Sequence, residues 1–436
     1  MAYVYADNVA EESTTTTTGA YQLGGVPSAG QAPGARIWVA GVGNGNTSDY
    51  YAYEVGGTAW ERGLGTVTDA ATDTLTRTTV YSSSNSNAAV DWTGKTVRVR
   101  CVQDARQLMG RDSVNMVQNL TIATSRASNA ETIALKTAAG ADPTPGDPIR
   151  VAFRNATAGT GDFSVLEITA AASVVISSGS TLGAANATAF RVWLVGFNDA
   201  GTFRLGIIKC ALTDGIYGLQ DNVLESSTAE GGAGAADSSG VIYTGTAVTS
   251  KAMRVLGYLE YTLTTAGTWV TAPSLVQLYA PGIRLPGELV QTRRVTTSAK
   301  TNVSTTIPND DTIPQSSEGT QLLTQDITPK SATSLIRVTA SAFGVTNGAT
   351  SSEIAIFRDS GADALAATLG STAVTVGYVT TCFLGYIEYS VGTSTVTYKM
   401  RVGRTGQDIY YNGIDSSTRL FGGVAQTFLQ VEEIAA

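Results

Sequence analysis

Short runs of alternating apolar and polar residues, broken by glycine, asparagine or proline, recur from one end of this chain to the other. In 96–101, Val97, Val99 and Cys101 fall on one side and Arg98 and Arg100 on the other. Ile336, Val338, Ala340 and Ala342 oppose Arg337, Thr339 and Ser341, and Val396, Tyr398, Met400 and Val402 oppose Thr397, Lys399 and Arg401. A period of two is the signature of a half-buried β-strand. Phe190 to Phe197 is apolar on both sides, as in a strand enclosed between two layers. Further strands are expected at 37–39, 50–55, 149–153, 165–169, 174–176, 203–210, 241–243, 252–261 and 428–434, with turn signals such as Gly43-Asn44-Gly45-Asn46 between them. The threonine run Thr14–Thr18 suits an extended strand or arm, because β-branching disfavours helix.

The punctuation divides the chain into an N-terminal β module (1–102), a loosely patterned linker (103–126), a central β-sandwich (127–285), a second linker marked by Pro281 and Pro286 (286–304) and a C-terminal jelly-roll-like domain (305–436). In the first linker, 107–118 reads as a short helix or an extended connector. Its apolar residues Leu108, Met109, Val114, Met116 and Val117 are available to pack on symmetry mates or on a neighbouring domain. The expected fold class is therefore all-β, with sandwich, jelly-roll or small-barrel domains in series. A hexapeptide recurs, Leu256-Gly257-Tyr258-Leu259-Glu260-Tyr261 and Leu384-Gly385-Tyr386-Ile387-Glu388-Tyr389. An upstream echo links 195–201 with 356–361, so the two halves read as β-domains of related design.

Composition narrows the chemistry. Of 436 residues only 15% are charged, the net charge is −8 and there is no histidine. Scattered acidic residues argue against nucleic acid, which requires concentrated Lys and Arg. Without histidine the commonest general base and transition-metal ligand are missing. The three cysteines, Cys101, Cys210 and Cys382, are dispersed and odd in number, which implies no disulfide framework and fits folding in a reducing cytoplasm. The first twelve residues lack the apolar core of a secretion signal, and no run approaches the ~20 apolar residues of a membrane helix. Neither nucleic acid binding nor membrane insertion is expected.

Candidate chemistry is sparse. Asp310, Asp311 and Glu318 form the densest acidic patch and would be the starting point for carboxylate catalysis, as in glycoside hydrolysis, or for calcium binding. Adjacent strand residues point to opposite faces, so a solvated loop is the better reading. Ser226–Asp237 is Gly/Ala-rich but lacks the Lys and Ser/Thr of a phosphate loop, and it too reads as a loop. Trp60 and Trp92 suit core packing better than ligand stacking. The pair Tyr410-Tyr411 at the Asn412-Gly413 turn either stacks on a receptor or packs on its own sheet. No catalytic, cofactor-binding, metal-binding or receptor-contacting residue is assigned, and the expectation is a protein that is not an enzyme and needs no cofactor.

Three segments resemble modules of tailed-bacteriophage fibre proteins. In the N-terminal segment the resemblance rests on five stretches in order: Ala6-Asp7-Asn8-Val9 with the Thr run and 19–25, then 43–47, 60–67, 75–80, and 83–86 before Ala89-Val90-Asp91-Trp92. In the central segment it rests on 176–183, 226–237, 241–243 and 254–260 with Ala266-Gly267-Thr268-Trp269, and in the last on 307–315, 328–333 and 419–424. The resemblance implies a structural virion protein assembled in the host cytoplasm, specifically a homotrimeric tail fibre. Its N-terminal module would attach to other virion proteins of the tail, and its C-terminal domain would contact a glycan or protein receptor on the host surface. A head fibre or capsid-decorating protein is the alternative. A polysaccharide-degrading tailspike fits least, since no coil-length repeat for a parallel β-helix is present.

Overall fold

The computed structural model describes residues 4–28, 32–102, 117–155, 162–280, 282–370 and 375–436. Among them the chain is built of β-strands. Helical structure is confined to the four-residue turn Trp38–Gly41 and the 3-10 turn Leu420–Gly423. No helix of the described residues is long and apolar enough to cross a membrane. The all-β expectation holds. Contacts group the chain into two compact units. The first comprises 1–123, 135–152 and 163–171; the second comprises 124–134, 153–162 and 172–436.

In the first unit, a sheet runs in the order Ala10–Ser13, Val97–Cys101, Thr47–Glu54, Trp60–Thr68, Thr74–Leu75, Tyr21–Gln22, with Thr79–Ser83 also paired to Trp60–Thr68. It curls around Tyr21, Trp38, Tyr50, Val67, Trp92, Val97 and Val99, all fully buried. Two local expectations fail for identifiable reasons. Residues 37–39 do not form a strand. Trp38 begins a helical turn because its backbone N–H donates to Glu11 Oε2 (2.7 Å), while its indole N–H reaches Val99 O (3.3 Å). The threonine run is not extended either. Thr15 Oγ1 donates to Ala20 O (2.9 Å) and accepts from Gln22 N (2.6 Å), which folds the run into a turn leading into Tyr21–Gln22. Residues 103–116 of the first linker lie outside the described residues; the rest is a correction, since Val117–Gln118 pairs with Ile149–Arg154 and Thr121–Ala127 is a strand.

The second unit holds two architectures. A seven-stranded sheet is centred on Ala189–Asp199, flanked by Lys251–Thr262 and Thr202–Ile208. Val192 through Val195, together with Phe197, are fully buried, as the two-sided apolar run requires.

The last 150 or so residues fold as a two-sheet sandwich. Its eight main strands are Leu289–Thr297, Thr320–Ile327, Leu335–Asn347, Thr350–Arg358, Ala366–Leu369, Val376–Tyr389, Val396–Gly406 and Thr427–Ile434. Counted in that order, one sheet reads first, eighth, third, sixth and the other second, seventh, fourth, fifth. That is the strand order of a jelly roll. Ile336, Val338, Ala340, Ile354, Ile356, Tyr398, Met400, Val402, Leu429 and Val431 fill the space between the sheets, and the alternation read from the sequence is the inward–outward alternation of this core. The expected linker at 286–304 is a correction. Leu289–Thr297 is the first jelly-roll strand, paired residue for residue with Thr427–Ile434. Its outer positions are polar because one face meets solvent, and that polarity disguised it.

The internal repeat also fails. Lys251–Thr262 is an interior strand in which Gly257 has φ +152° and leaves no room for a Cβ against Gln277 O. Its counterpart Gly385 sits on a strand that, among the described residues, pairs only with Leu335–Asn347, and it meets open space. The 195–201 echo lies on the strand that pairs with the first hexapeptide's strand, with Val195 beside Val255, but 356–361 belongs to the opposite sheet from the second hexapeptide.

Candidate functional site

Four of the five stretches that carry the N-terminal resemblance meet at one side chain. Glu61 is fully buried in Trp60–Thr68. Its carboxylate accepts from Tyr21 OH (2.8 Å), Tyr50 OH (2.7 Å), Val90 N (2.7 Å) and Arg77 Nε (2.7 Å), and also from Arg77 Nη2. Arg77 lies over the Tyr21 ring, 5.1 Å from its centroid, and also donates to Val90 O (3.0 Å). Burial beside the carboxylate pushes both phenols above their ordinary range. Gly63 is required because a Cβ there would strike the Tyr50 hydroxyl at 2.6 Å and Thr79 O at 2.2 Å. The centre is a fully bonded ion pair whose every polar partner is internal, so it is architecture. Trp92 packs in the same core, fully buried, while Trp60 is half-buried at the sheet surface.

The Gly/Ala loop of the central domain is a clamp. Glu230 accepts from Ser177 N (2.9 Å), Ser177 Oγ (2.7 Å) and Gly232 N (3.0 Å), Asp237 accepts from Ser180 Oγ, and Trp269 Nε1 donates to Ser180 O (2.8 Å). The two carboxylates are thereby directed inward, leaving no phosphate cradle.

The acidic patch does not converge. Asp310 Oδ1 accepts from Thr312 N (2.9 Å) and Thr312 Oγ1 (2.6 Å), which holds its carboxyl below the usual range. Glu318 Oε2 accepts from Gln315 N (2.8 Å), and Asp311 is exposed. Two of the three carboxylates are thus engaged in separate local turns. Among the described residues no group of three or more acidic, cysteine or histidine side chains is placed to hold a metal. The receptor-stacking reading of the tyrosine pair is also corrected. Tyr411 is fully buried, its hydroxyl 2.8 Å from Ser352 Oγ, and Tyr410 is 8% exposed. Asn412 bonds Thr297 O (3.1 Å), Ala299 O (3.2 Å) and Thr427 Oγ1 (3.1 Å), tying the turn to both ends of the first jelly-roll strand's exit loop and to the last strand. The cysteines are free, with Cys210 and Cys382 buried.

The surface that remains is the outer face of the jelly-roll sheet containing Val376–Tyr389. An open groove of about 760 Å³ lies where this face meets the 214–216 loop of the central region, lined among others by Asp214, Ile216, Arg337, Phe383, Gln430 and Glu432. Arg337 grips Glu432 through Nε (2.8 Å) and Nη2 (2.7 Å), and Gln430 Nε2 donates to Glu432 Oε1 (2.9 Å). Further along the same strand Phe383 and then Val379 are 64% and 58% exposed. Sequence reasoning missed this face. The signal was present in 376–387, an apolar and Thr/Gly run of twelve residues without one charge.

No family model matches the chain, and no curated protein matches it. Among solved structures, the chain is weakly similar to particles of infectious bursal disease virus. These include the Gx strain (9% identity, covering 98% of this chain and 75% of that one, TM-score 0.20) and the Gt strain (9%, 99% and 78%, TM-score 0.20). The VP2 subviral particle of the same virus is also similar (10%, 99% and 78%, TM-score 0.17). Likenesses this slight carry no argument about fold or function, both of which are read from this chain.

Proposed function

We propose that the protein is a non-enzymatic structural component of a tailed-phage virion, a homotrimeric tail fibre. It attaches to other tail proteins through its N-terminal module and contacts a host-surface glycan or protein with its C-terminal jelly roll. The observation that carries this reading is the ordered set of N-terminal stretches that resemble fibre modules. Tyr21, Glu61, Arg77 and Val90 come from four of those stretches and bond to one another, which supports treating them as one built module rather than chance matches. A jelly roll supports a particle-surface role only at the level of architecture, since fold alone does not set function.

Adsorption competition tests the proposal. Purified protein is added to host cells before phage, and free phage is counted. Dose-dependent loss of adsorption is the expected result. Unimpeded adsorption in the presence of folded, assembled protein would overturn the receptor-contacting role and favour decoration of the head. Release of reducing ends from capsular or lipopolysaccharide polymer would overturn the non-enzymatic reading, with Asp310, Asp311 and Glu318 the first substitutions to make.

A further inference from the structure

We infer that the outer face of the jelly-roll strand Val376–Tyr389 is buried against a second copy of this chain. The inference rests on the multi-copy part of the proposal above and assigns the contact. Among the described residues the strand pairs with Leu335–Asn347 alone, so its other edge presents main-chain N–H and C=O groups to no strand. On the outward set of this strand Val379 and Phe383 are 58% and 64% exposed, and beyond a register shift at its start Val376 and Tyr378 are 70% and 53% exposed. Soluble monomers blunt such edges with lysine, proline, bulges or inward charges. Here 376–387 has no charge and no proline. Register carries the apolar character inward across the sheet, with Phe383 beside Ser341 and Ser341 beside Phe428, whose ring lies under Arg294 at 4.3 Å.

The size and chemistry of the face select the occupant. At ~3.4 Å per residue and ~4.8 Å between strands, the four main strands of this sheet present roughly 700 Å², close to the ~800 Å² per partner of a standard stable interface. A glycan is the poorer fit. Sugar hydroxyls need free donors and acceptors beside an exposed ring, whereas Arg337, Glu432 and Gln430 are already bonded to one another. A second copy brings the same apolar row, and burying it removes the aggregation hazard of an open edge.

The test is the mass of the full chain in solution, by light scattering and sedimentation across a wide concentration range. The wild type is compared with Val379→Asp/Phe383→Asp, with Thr381→Arg and with Ile313→Asp, which alters an exposed residue outside this sheet. Thermal melting monitors folding, and Thr381→Arg, at an exposed polar position of the same strand, keeps the test alive if the double variant misfolds. The expected result is a wild type at a multiple of 45.1 kDa, dissociation constants raised at least about 30-fold in the face variants, and no change in Ile313→Asp. Assembly unchanged in folded face variants would overturn the assigned contact while leaving a multi-copy fibre standing. A wild type that is monomeric throughout would overturn both. Face variants that stay assembled but lose binding to host-cell glycans would make the face a ligand site and overturn the inference.

Discussion

Replacing Glu61 by Gln is the sharpest perturbation of the N-terminal module. The two side chains are nearly isosteric, so the change removes charge without opening a cavity. Glu61 is fully buried, and the Arg77 side chain is 5% exposed. With the carboxylate gone, a guanidinium is left in the core with only carbonyl partners, Val90 O and the more distant Gly19 O at 3.4 Å. Breaking one partner of a buried pair costs about 3–5 kcal/mol. The amide also turns a donor group toward Tyr21 OH, Tyr50 OH or Val90 N, each of which now donates to the carboxylate. For a unit of this size, a kilocalorie shifts the melting temperature by ~2–4 °C, so the transition of this unit is expected to fall by about 6–20 °C. Calorimetry of the full chain reads the shift, and hydrogen exchange at Thr47–Glu54, whose Tyr50 bonds the carboxylate, localises it. A cycle with Arg77→Gln is expected to give a coupling of at least about 2 kcal/mol. A fall below ~3 °C, or additive single effects, would refute the view that this pair organises the module.

Three further outcomes follow from buried polar groups in the second unit. Lys209 is 3% exposed, donates to Ala211 O (2.6 Å) and Tyr389 OH (3.1 Å), and burial lowers its pKa to about 8. Between about pH 8 and the ordinary lysine range the unfolded chain therefore binds more protons than the folded one. The contribution of Lys209 to stability is expected to rise with pH across that window, so urea titrations should show Lys209→Met gaining less, or losing more, than the wild type as pH climbs through it. Glu353 is 5% exposed, its Oε2 lacks a hydrogen-bond partner, and burial raises its pKa. Here the folded state holds its proton more tightly, so stability falls as pH climbs from the ordinary glutamate range through the folded pKa. Glu353→Gln is expected to flatten that slope and to add about 1–2 kcal/mol at neutral pH, read by denaturant melts at several pH values. Tyr411→Phe should cost about 1 kcal/mol through the lost bond to Ser352 and leave host-cell binding unchanged. Lost binding with an unaltered melt would reinstate the tyrosine as a surface group.

What the sequence made legible was whatever depends on local periodicity. The strands at 336–342 and 396–402 alternate because one face of each meets the sandwich core, and the two-sided run at 190–197 is apolar because the strand is covered on both faces. Position in a sheet was not legible. The two hexapeptides share five of six letters, yet one strand is interior and the other an edge, since pairing partners lie far along the chain. Arg293 and Arg294 made the first jelly-roll strand resemble a linker, and only its pairing with residues more than a hundred positions away gives it a strand's role. Tyr410 and Tyr411 illustrate the same limit at the candidate site. An Asn-Gly turn announces a surface bend, but here Asn412 and Gly413 are buried, and Lys300 and Thr418 O lie where a side chain on Gly413 would go.

The junction between the central sheet and the jelly roll bears on how such a chain would act. Domains joined by a free linker orient independently. In this chain, Arg191 Nη1 and Trp193 Nε1, on the central strand of one architecture, both donate to Ala436 O (3.2 Å each) beyond the last strand of the other. Thr333 donates to Glu260 (3.2 Å), the acidic residue of the first hexapeptide, and Lys209 donates to Tyr389, the last residue of the second. Ala211, Leu335 and Ala436 close the seam with buried apolar contact. The repeated Glu and Tyr thus serve the joint, one from each side, rather than marking copies of one domain. A joint stitched by side-chain bonds and apolar contact fixes the jelly roll's orientation on the sheet beneath it. An edge strand such as Val376–Tyr389 is then held at a set angle, which is the condition a repeated contact between copies requires if the assembly is to close.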